Sequence, residues 1–323
     1  MIYHNDQPAN DFATLFDTLH SNDSYQNLFS NIYVSVISRS FYERILPTNS
    51  THLIVCFISL HWLSTVPVPL PGKMICHVQP NLPSLAESHP EVFRAWKDQS
   101  RDDLETFLRH RSDELKDGGT MVLTLCTYPM GPYGLATILS NAFIEAHSQG
   151  LLSEAEASNA VLPVYFRTLD EVREGVASVD TLELHHIEEM SCQYAFDSAE
   201  SLTSFLLSVF KPSLMRCLDP SLDTNEAQFI LRSKRLDAFL TLYVTNVIRI
   251  ARPSSQASIT YSKVLIYRRP RPRAPEVTVA GNAAPPTSTK REGEQGNLPN
   301  SCVLITINAA LLALAVYLAR RRN

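Results

Sequence analysis

A short apolar run over residues 52–60 constrains the fold most strongly. It reads His-Leu-Ile-Val-Cys-Phe-Ile-Ser-Leu, with β-branched and other apolar residues in succession. A strand buried on both faces reads as such a continuous run, which is typical of parallel sheets covered by helices. The run therefore predicts an inner strand of an α/β sheet. The pair that follows it, His61 and Trp62, would then lie at the carboxyl edge, where open α/β sheets bind ligands.

A helix and a second apolar strand follow in the sequence. Apolar residues recur at three- and four-residue steps between Pro90 and Lys116, which predicts a helix. The glycine pair Gly118-Gly119 then ends it, and residues 120–126 (TMVLTLC) predict the next buried strand. A helix between two apolar strands is the repeating unit of an α/β fold.

Further elements are predicted downstream of this unit. Thr168 and Glu171 form the spacing of a capping box, which predicts a helix start. The remaining patterns predict helices over 135–147, 199–216 and 237–250, and strands over 182–190 and 258–267. The globular domain is therefore expected to span residues 1–267.

Composition excludes several classes of protein. The chain has 323 residues, of which 45% are hydrophobic and 19% charged, so it is long and apolar enough to bury a full core. The net charge of -5 argues against a nucleic-acid partner. The six cysteines form no CxxC pair, which argues against a metal or disulfide framework and favours a reducing compartment.

The C-terminal part changes character twice. Residues 268–301 are rich in proline and polar residues, which predicts a disordered linker. Residues 302–319 (CVLITINAALLALAVYLA) carry no charge and would form a helix about 27 Å long, close to the thickness of a bilayer core. We expect a transmembrane helix with a basic tail over 320–323, and a membrane location with the globular domain facing the cytosol. A buried core helix is the alternative.

Several longer motifs occur in a fixed order around the first apolar strand. They read NDQPANDFATLF from Asn5, SFYERILPTNS from Ser40, SLHWLSTVP from Ser59, FLRHRSDELKDGGTMVLT from Phe107 and LPVY from Leu162. This series resembles the plant-type salicylate, benzoate and theobromine carboxyl methyltransferase family, often written SABATH. The resemblance covers roughly residues 5–267 and weakens after about Met190.

The resemblance implies a fold, a cofactor and a set of site residues. It implies a Rossmann-like methyltransferase sheet with a helical cap, S-adenosylmethionine as cofactor, and methyl transfer to a small-molecule carboxylic acid. Asp6 falls on the family's acid that holds the cofactor ribose, and Ser40 and Phe41 fall on the pair that lines the adenine. His61 and Trp62 fall on the pair that faces the substrate carboxylate. No catalytic acid or base is expected, because a carboxylate is already a nucleophile at neutral pH.

Each of these residues also has a plainer interpretation. Asp6 is acceptable as a turn residue, Ser40 as a helix N-cap, Trp62 as a core anchor and His61 as a surface histidine. Taken singly, each plainer interpretation would be preferred. The order of the motifs favours the inherited site.

The sequence also departs from the family pattern. The family begins well upstream of Asp6 with a first strand and a glycine-rich turn that packs against the cofactor, whereas the first glycine here is Gly72. We therefore expect an N-terminally truncated sheet and weak or no binding of S-adenosylmethionine. Where some members hold magnesium with an Asp and an Asn, this chain has Ser158 and Val161, so no metal is expected.

Two functions remain open at this stage. The first is a carboxyl methyltransferase anchored to a membrane, with its activity impaired by the absent glycine loop. The second is a catalytically inactive, membrane-anchored methyltransferase-like binding protein. A homodimer is left open for both. A hydrolase is rejected, because the sequence has no GxSxG nucleophile motif.

Overall fold

The computed structural model describes residues 1–8, 11–22, 24–28, 31–77, 86–127, 133–251, 256–270 and 303–307. The strands in these ranges are β1 (Ile2–Asp6), β2 (Val34–Ser38), β3 (Thr51–Phe57), β4 (Leu115–Cys126), β5 (Leu182–Ala195), β6 (Gln256–Arg268) and β7 (Val303–Ile307). The α-helices are α1 (Phe12–Leu19), α2 (Pro90–Glu114), α3 (Tyr133–Ser148), α4 (Glu154–Asn159), α5 (Leu169–Ala177), α6 (Ala199–Leu214) and α7 (Glu226–Ala251).

All seven strands belong to one sheet with the order β2-β1-β7-β3-β4-β6-β5. The strands from β2 to β4 are mutually parallel, and β6 runs antiparallel to both β4 and β5. The chain builds outward from β1 to β2 on one side and from β3 to β4 on the other, which is the doubly wound arrangement. The expected α/β Rossmann-like sheet is confirmed, and so is the inner parallel strand predicted from the apolar run.

Strand β7 corrects the expectation for the C-terminal part. Residues 303–307 form an inner strand between β1 and β3, instead of the start of a transmembrane helix. In the part of the chain that the structure describes, no helix is long and apolar enough to cross a bilayer. The expected membrane anchor and the membrane location built on it are therefore wrong. Residues 308–323 lie outside the described ranges.

The physical reason lies in the local sequence of β7. A membrane helix and a strand inside a covered sheet both require an uncharged apolar segment, so hydropathy does not separate them. Val303, Ile305, Thr306 and Ile307 are all β-branched, which favours a strand. Strand partners on both sides satisfy the backbone groups of this segment.

The position of β7 also bears on the expected truncation of the sheet. In a doubly wound sheet of order 3-2-1-4-5-6, the first strand lies at the centre and the turn after it carries the cofactor-binding glycines. In that order β2 and β1 take the places of strands 3 and 2, and β3 and β4 take the places of strands 4 and 5. Strand β7 lies where strand 1 would be, at the centre. A strand from the other end of the sequence thus completes the centre.

Two apolar clusters position the site. The first packs α2 and α5 against one face of the sheet, through residues such as Phe107, Val172 and Ile54. The second is a layer of helices in which α3, α6 and α7 pack together, and Trp62 contacts its edge. The segment just after β3 is therefore held between the sheet and a helical layer.

The boundaries at the end of the domain differ slightly from expectation. Helix α2 ends at Glu114, and β4 begins before the glycine pair and includes it. Arg268, expected to open the linker, is 3% exposed at the end of β6 and forms an ion pair with Asp117. Residues 271–301 of the expected linker lie outside the described ranges.

Candidate functional site

The candidate site is the carboxyl edge of the sheet where β1, β7 and β3 lie side by side. Asp6 at the end of β1 is paired in register with Ser38 at the end of β2, and Phe57 at the end of β3 is paired with Ile307. The chain leaves β1 and β3 in opposite directions along the sheet, so a crevice is expected here. All five predicted site residues end or follow β1, β2 or β3, and the structure places them along one edge.

Asp6 is the half-buried last residue of β1, so it is part of the strand and not of a free turn. Its carbonyl oxygen accepts from the Arg39 amide at 3.0 Å. The neighbouring Asn5 side chain donates to the carbonyls of Ile37 at 3.0 Å and Arg39 at 2.8 Å. These bonds tie the carboxyl end of β1 to the loop that carries Ser40.

Ser40 and Phe41 occupy the loop after β2. The Ser40 hydroxyl accepts from the Tyr42 amide at 3.2 Å within a turn, so Ser40 does not cap a helix. The Phe41 ring is 7% exposed and packs edge-on against Phe107, with 5.9 Å between ring centroids. The ring therefore belongs mainly to the core, and little of its surface remains for a ligand.

A buried ion pair holds this loop from below. Arg111 and Glu114 are fully buried and lie 2.7 Å apart. Arg111 donates to the carbonyls of Phe41 and Glu43, each at 2.8 Å, and Glu114 accepts from the Ile45 amide at 2.7 Å. Burial lowers the pKa of Arg111, and Glu114 opposes that shift. Together they fix the backbone on both sides of the turn that follows Ser40.

On the other side of the crevice the chain turns sharply after β3. We call residues 58–62 the 58–62 turn. Its first residue, Ile58, has φ 45°, a conformation that is strained for a β-branched side chain. Thr124 holds it there, because the Ile58 amide donates to the Thr124 carbonyl at 2.8 Å and hydroxyl at 3.1 Å. Such strain is found where a fold must aim functional side chains.

Three consecutive carbonyls of the 58–62 turn, at positions 60–62, are held by three residues from two parts of the chain. The Arg167 guanidinium donates to the first. The Tyr165 amide donates to the second at 2.8 Å, and the Tyr42 hydroxyl donates to the third at 2.6 Å. Arg167 also donates to the Ser100 carbonyl at 2.7 Å. The backbone under His61 and Trp62 is therefore fixed independently of any ligand.

The side chains of His61 and Trp62 carry unsatisfied polar atoms. His61 Nδ1 and Trp62 Nε1 are buried and have no hydrogen-bond partner. Leaving such atoms unpaired is costly, so each instance calls for an explanation, such as a missing ligand. Burial, reinforced by Arg167, lowers the pKa of His61 to about 3, so the imidazole is neutral near pH 7. At 6% exposure His61 is no surface histidine.

Aromatic rings form the wall beside these two atoms. The His61 ring lies 5.4 Å from the Phe166 ring, and the Trp62 ring lies 6.1 Å from that of Phe210 on α6, measured between centroids. The arrangement offers ring N–H groups against an apolar wall, which suits a small planar molecule with an acceptor oxygen.

Sequence reasoning missed the residues that position this site. Arg111 and Glu114 lie in the FLRHRSDEL segment, whose sequence indicates a family motif but not a buried ion pair. Arg167 gave one signal, a charged residue directly after the apolar stretch VLPVYF. As for metals, the described residues contain no cluster of three potential ligands. The expected absence of a metal stays a prediction.

Comparisons with known proteins identify a family. The model of the SAM dependent carboxyl methyltransferase family matches residues 1–217. A 3,7-dimethylxanthine N-methyltransferase of Camellia sinensis var. assamica is 33% identical over 196 residues, covering 58% of this chain and 53% of the relative. An Arabidopsis thaliana protein named as a probable S-adenosylmethionine-dependent methyltransferase is 30% identical over 247 residues, covering 73% of this chain and 66% of the relative.

Solved structures support the fold. The structure of loganic acid methyltransferase with SAH has a TM-score of 0.59 at 21% identity and covers 83% of this chain and 73% of that one. The chain spans about half the length of the Camellia relative. Because the family model covers two thirds of the sequence, from β1 to the end of α6, this chain belongs to the SAM dependent carboxyl methyltransferase family.

Proposed function

We propose that the protein transfers a methyl group from S-adenosylmethionine to the carboxylate of a small-molecule acid. The observation that carries the proposal is the pair of unpartnered buried atoms, His61 Nδ1 and Trp62 Nε1. They lie beside the switch point of a doubly wound sheet, in a chain of this family.

The residues on the β1 side fit the cofactor. The Asp6 carboxylate suits the two hydroxyls of a ribose, and the Ser40 hydroxyl suits the edge of an adenine. The Phe41 ring is largely buried, so its contribution is expected to come mainly through its backbone. The cofactor supplies a methyl group bound to a positively charged sulfur.

The residues on the β3 side would hold the acceptor. The Trp62 indole N–H donates to one carboxylate oxygen, and a neutral His61 with its proton on Nδ1 donates to the carboxylate as well. A carboxylate needs no base to become a nucleophile. These residues therefore act by orienting the oxygen, while the rings of Phe166 and Phe210 exclude water.

The proposal is tested by the chemical stability of the transferred methyl group. The protein is incubated with methyl-labelled S-adenosylmethionine at millimolar concentration and with a panel of aromatic and terpenoid acids or with 7-methylxanthine. A methyl ester releases its label in mild base, whereas an N-methyl group keeps it. We expect base-labile label with at least one acid. Base-stable label on the xanthine alone would overturn the carboxylate assignment.

Two variants of one residue link the reaction to the site. Trp62→Ala removes the ring and the donor, and we expect it to reduce the transfer rate at least about tenfold, the effect of losing positioning and one hydrogen bond. Trp62→Phe keeps an aromatic ring but not the N–H, so it should raise KM more than it lowers kcat. An unchanged rate in Trp62→Ala would remove this residue from the site.

A further inference from the structure

We propose that Arg167 makes the site selective for an anionic acceptor, because it places directly beneath the 58–62 turn a positive charge that forms no ion pair with a carboxylate of the described residues. The proposal rests on the function proposed above and adds a residue that determines the class of acceptor. It starts from the surroundings of the Arg167 side chain.

Arg167 is a buried cation with unusual partners. Its side chain is 1% exposed, and its guanidinium donates to two backbone carbonyls, those of Leu60 and Ser100. Among the described residues no Asp or Glu forms an ion pair with it. Buried charges are normally paired, because an isolated ion loses its hydration without compensation. Carbonyl dipoles stabilise this guanidinium but leave its net charge in place.

Asp103, a buried carboxylate in the same surroundings, forms its hydrogen bonds with other groups. Asp103 is 5% exposed and, like Arg167, acts electrostatically on Tyr42. Its carboxylate accepts from the Ser64 amide at 2.8 Å, the Ser64 hydroxyl at 2.7 Å and the Gln99 amide group at 3.0 Å. Those donors are neutral, so Asp103 keeps its own charge, and it forms no ion pair with Arg167.

The Arg167 guanidinium lies close enough to the acceptor side of the crevice to act on it electrostatically. Arg167 contacts the carbonyl that directly precedes His61, and its field disfavours protonation of His61. His61 is therefore neutral near pH 7 and cannot itself supply a positive charge. In a poorly hydrated site an unscreened charge attracts an anion over several ångströms. A carboxylate is thereby favoured over a neutral molecule of the same shape, such as its amide.

The test uses the protein's own tryptophans and needs no known substrate. The chain has two, of which Trp96 is fully buried and Trp62 is partly accessible in the 58–62 turn. Quenching of fluorescence by iodide, caesium and neutral acrylamide is compared at low ionic strength. Each quenching constant is divided by that of acrylamide. Although the net charge is -5, we expect the resulting value for iodide to exceed that for caesium by at least about twofold. Equal or reversed quenching in the natural protein would overturn the proposal.

Variants separate charge from structural support. Arg167→Gln should abolish the preference for iodide, while Arg167→Lys, which keeps a charge but not the planar fork, should retain most of it. A structural loosening would change acrylamide quenching as well, so the ratio reports charge alone. Loss of the preference in both variants would contradict the charge assignment. Arg173→Gln removes an exposed arginine six residues away and is the matched control.

Once an acid substrate is found, the role of Arg167 in selecting the acceptor is tested by steady-state kinetics. Arg167→Gln should raise KM for the acid about tenfold with kcat within about threefold, and should leave inhibition by the matching amide unchanged. Equal weakening of acid and amide would overturn the proposal. Failure to methylate any acid counts against the proposed function alone, because the quenching result does not depend on turnover.

Discussion

Two buried arginines support the two sides of the crevice, and they differ in the groups that they bind. Arg111 lies under the loop after β2 and is paired with Glu114 at 2.7 Å. Arg167 lies under the 58–62 turn and is bonded to carbonyl groups. Both hold backbone segments through carbonyls, so both act as structural supports. The Arg111–Glu114 pair carries no net charge, whereas Arg167 forms no ion pair with any carboxylate of the described residues.

The difference matches what each side is proposed to bind. S-adenosylmethionine is itself positively charged at its sulfur, so an unpaired arginine on the β1 side would oppose its binding. The acceptor is proposed to be an anion, so an unpaired arginine on the β3 side assists it. A neutral support fixes geometry alone, while a charged support fixes geometry and selects a ligand.

The largest expected effect comes from breaking the paired support. Glu114→Gln leaves the Arg111 charge buried without its partner, and we expect the free energy of unfolding to fall by about 3–5 kcal/mol. Urea denaturation measures it. The control is Glu105→Gln, which removes a partly exposed ion pair with Arg109 at 3.3 Å and should cost less than about 1 kcal/mol. Equal losses in the two variants would contradict the account of the β1 side.

The second prediction concerns the affinity of the β1 side for its cofactor. The residues that follow β7 at the centre of the sheet are Asn308-Ala309-Ala310, and none is glycine. Close approach of a backbone turn to a cofactor requires glycine, and the sequence has no glycine before Gly72 or at positions 308–310. Calorimetric titration of the 323-residue protein should therefore give a Kd for S-adenosylmethionine of about 100 µM or weaker, roughly 2.7 kcal/mol weaker than micromolar binding. A micromolar Kd would contradict this expectation.

The third prediction uses the neutral state of His61. Its pKa is lowered to about 3 in the folded protein, whereas an unfolded histidine titrates near 6.5. The unfolded state therefore takes up a proton first as the pH falls, so stability is full above about pH 6.5 and declines below it. At pH 5 the loss from this residue is about 2 kcal/mol.

His61→Gln removes that titration, so its stability should fall less steeply between pH 7 and pH 5 than that of the natural protein. The exposed His20, replaced in the same way, is the control. Parallel pH profiles for His61→Gln and the natural protein would show that His61 is not held neutral in the folded state.

The smallest of the four effects comes from one hydrogen bond on the β3 side. Tyr42→Phe removes the 2.6 Å bond to the Trp62 carbonyl and leaves that carbonyl without its donor. We expect a loss of about 1–2 kcal/mol in unfolding free energy. Tyr33→Phe is the control, because Tyr33 is 70% exposed. A loss no greater than that of the control would mean that Arg167 and Tyr165 suffice to hold the turn.

The elements that sequence predicted well are those with a strong apolar period. The strand over residues 51–57 and the helix over 90–114 lie close to their predicted positions, because burial of one face leaves a visible pattern. The C-terminal strand β7 was missed for a physical reason. An uncharged apolar segment satisfies both a bilayer and the centre of a covered sheet, and only its β-branched residues separate the two.

The sequence predicted the side chains that face the crevice better than the residues that support their backbone. The positions of His61 and Trp62 at the edge of the sheet followed from the strand that precedes them. The support beneath them did not, because Arg167 reaches a carbonyl 107 residues away and another 67 residues away. Hydrogen bonds from a side chain to distant backbone leave no periodicity in a sequence. The roles of Asp6, Ser40 and Phe41 in cofactor binding stay predictions.

A crystal structure with S-adenosylhomocysteine and a methylated acid, or its unreacted form, tests the central claim most directly. We predict that a carboxyl oxygen of the acid lies within about 3.2 Å of Trp62 Nε1 or His61 Nδ1, both of which are buried and have no hydrogen-bond partner in the protein alone. The ribose should lie against Asp6. An acid bound away from the 58–62 turn, with both atoms still unpaired, would contradict the account.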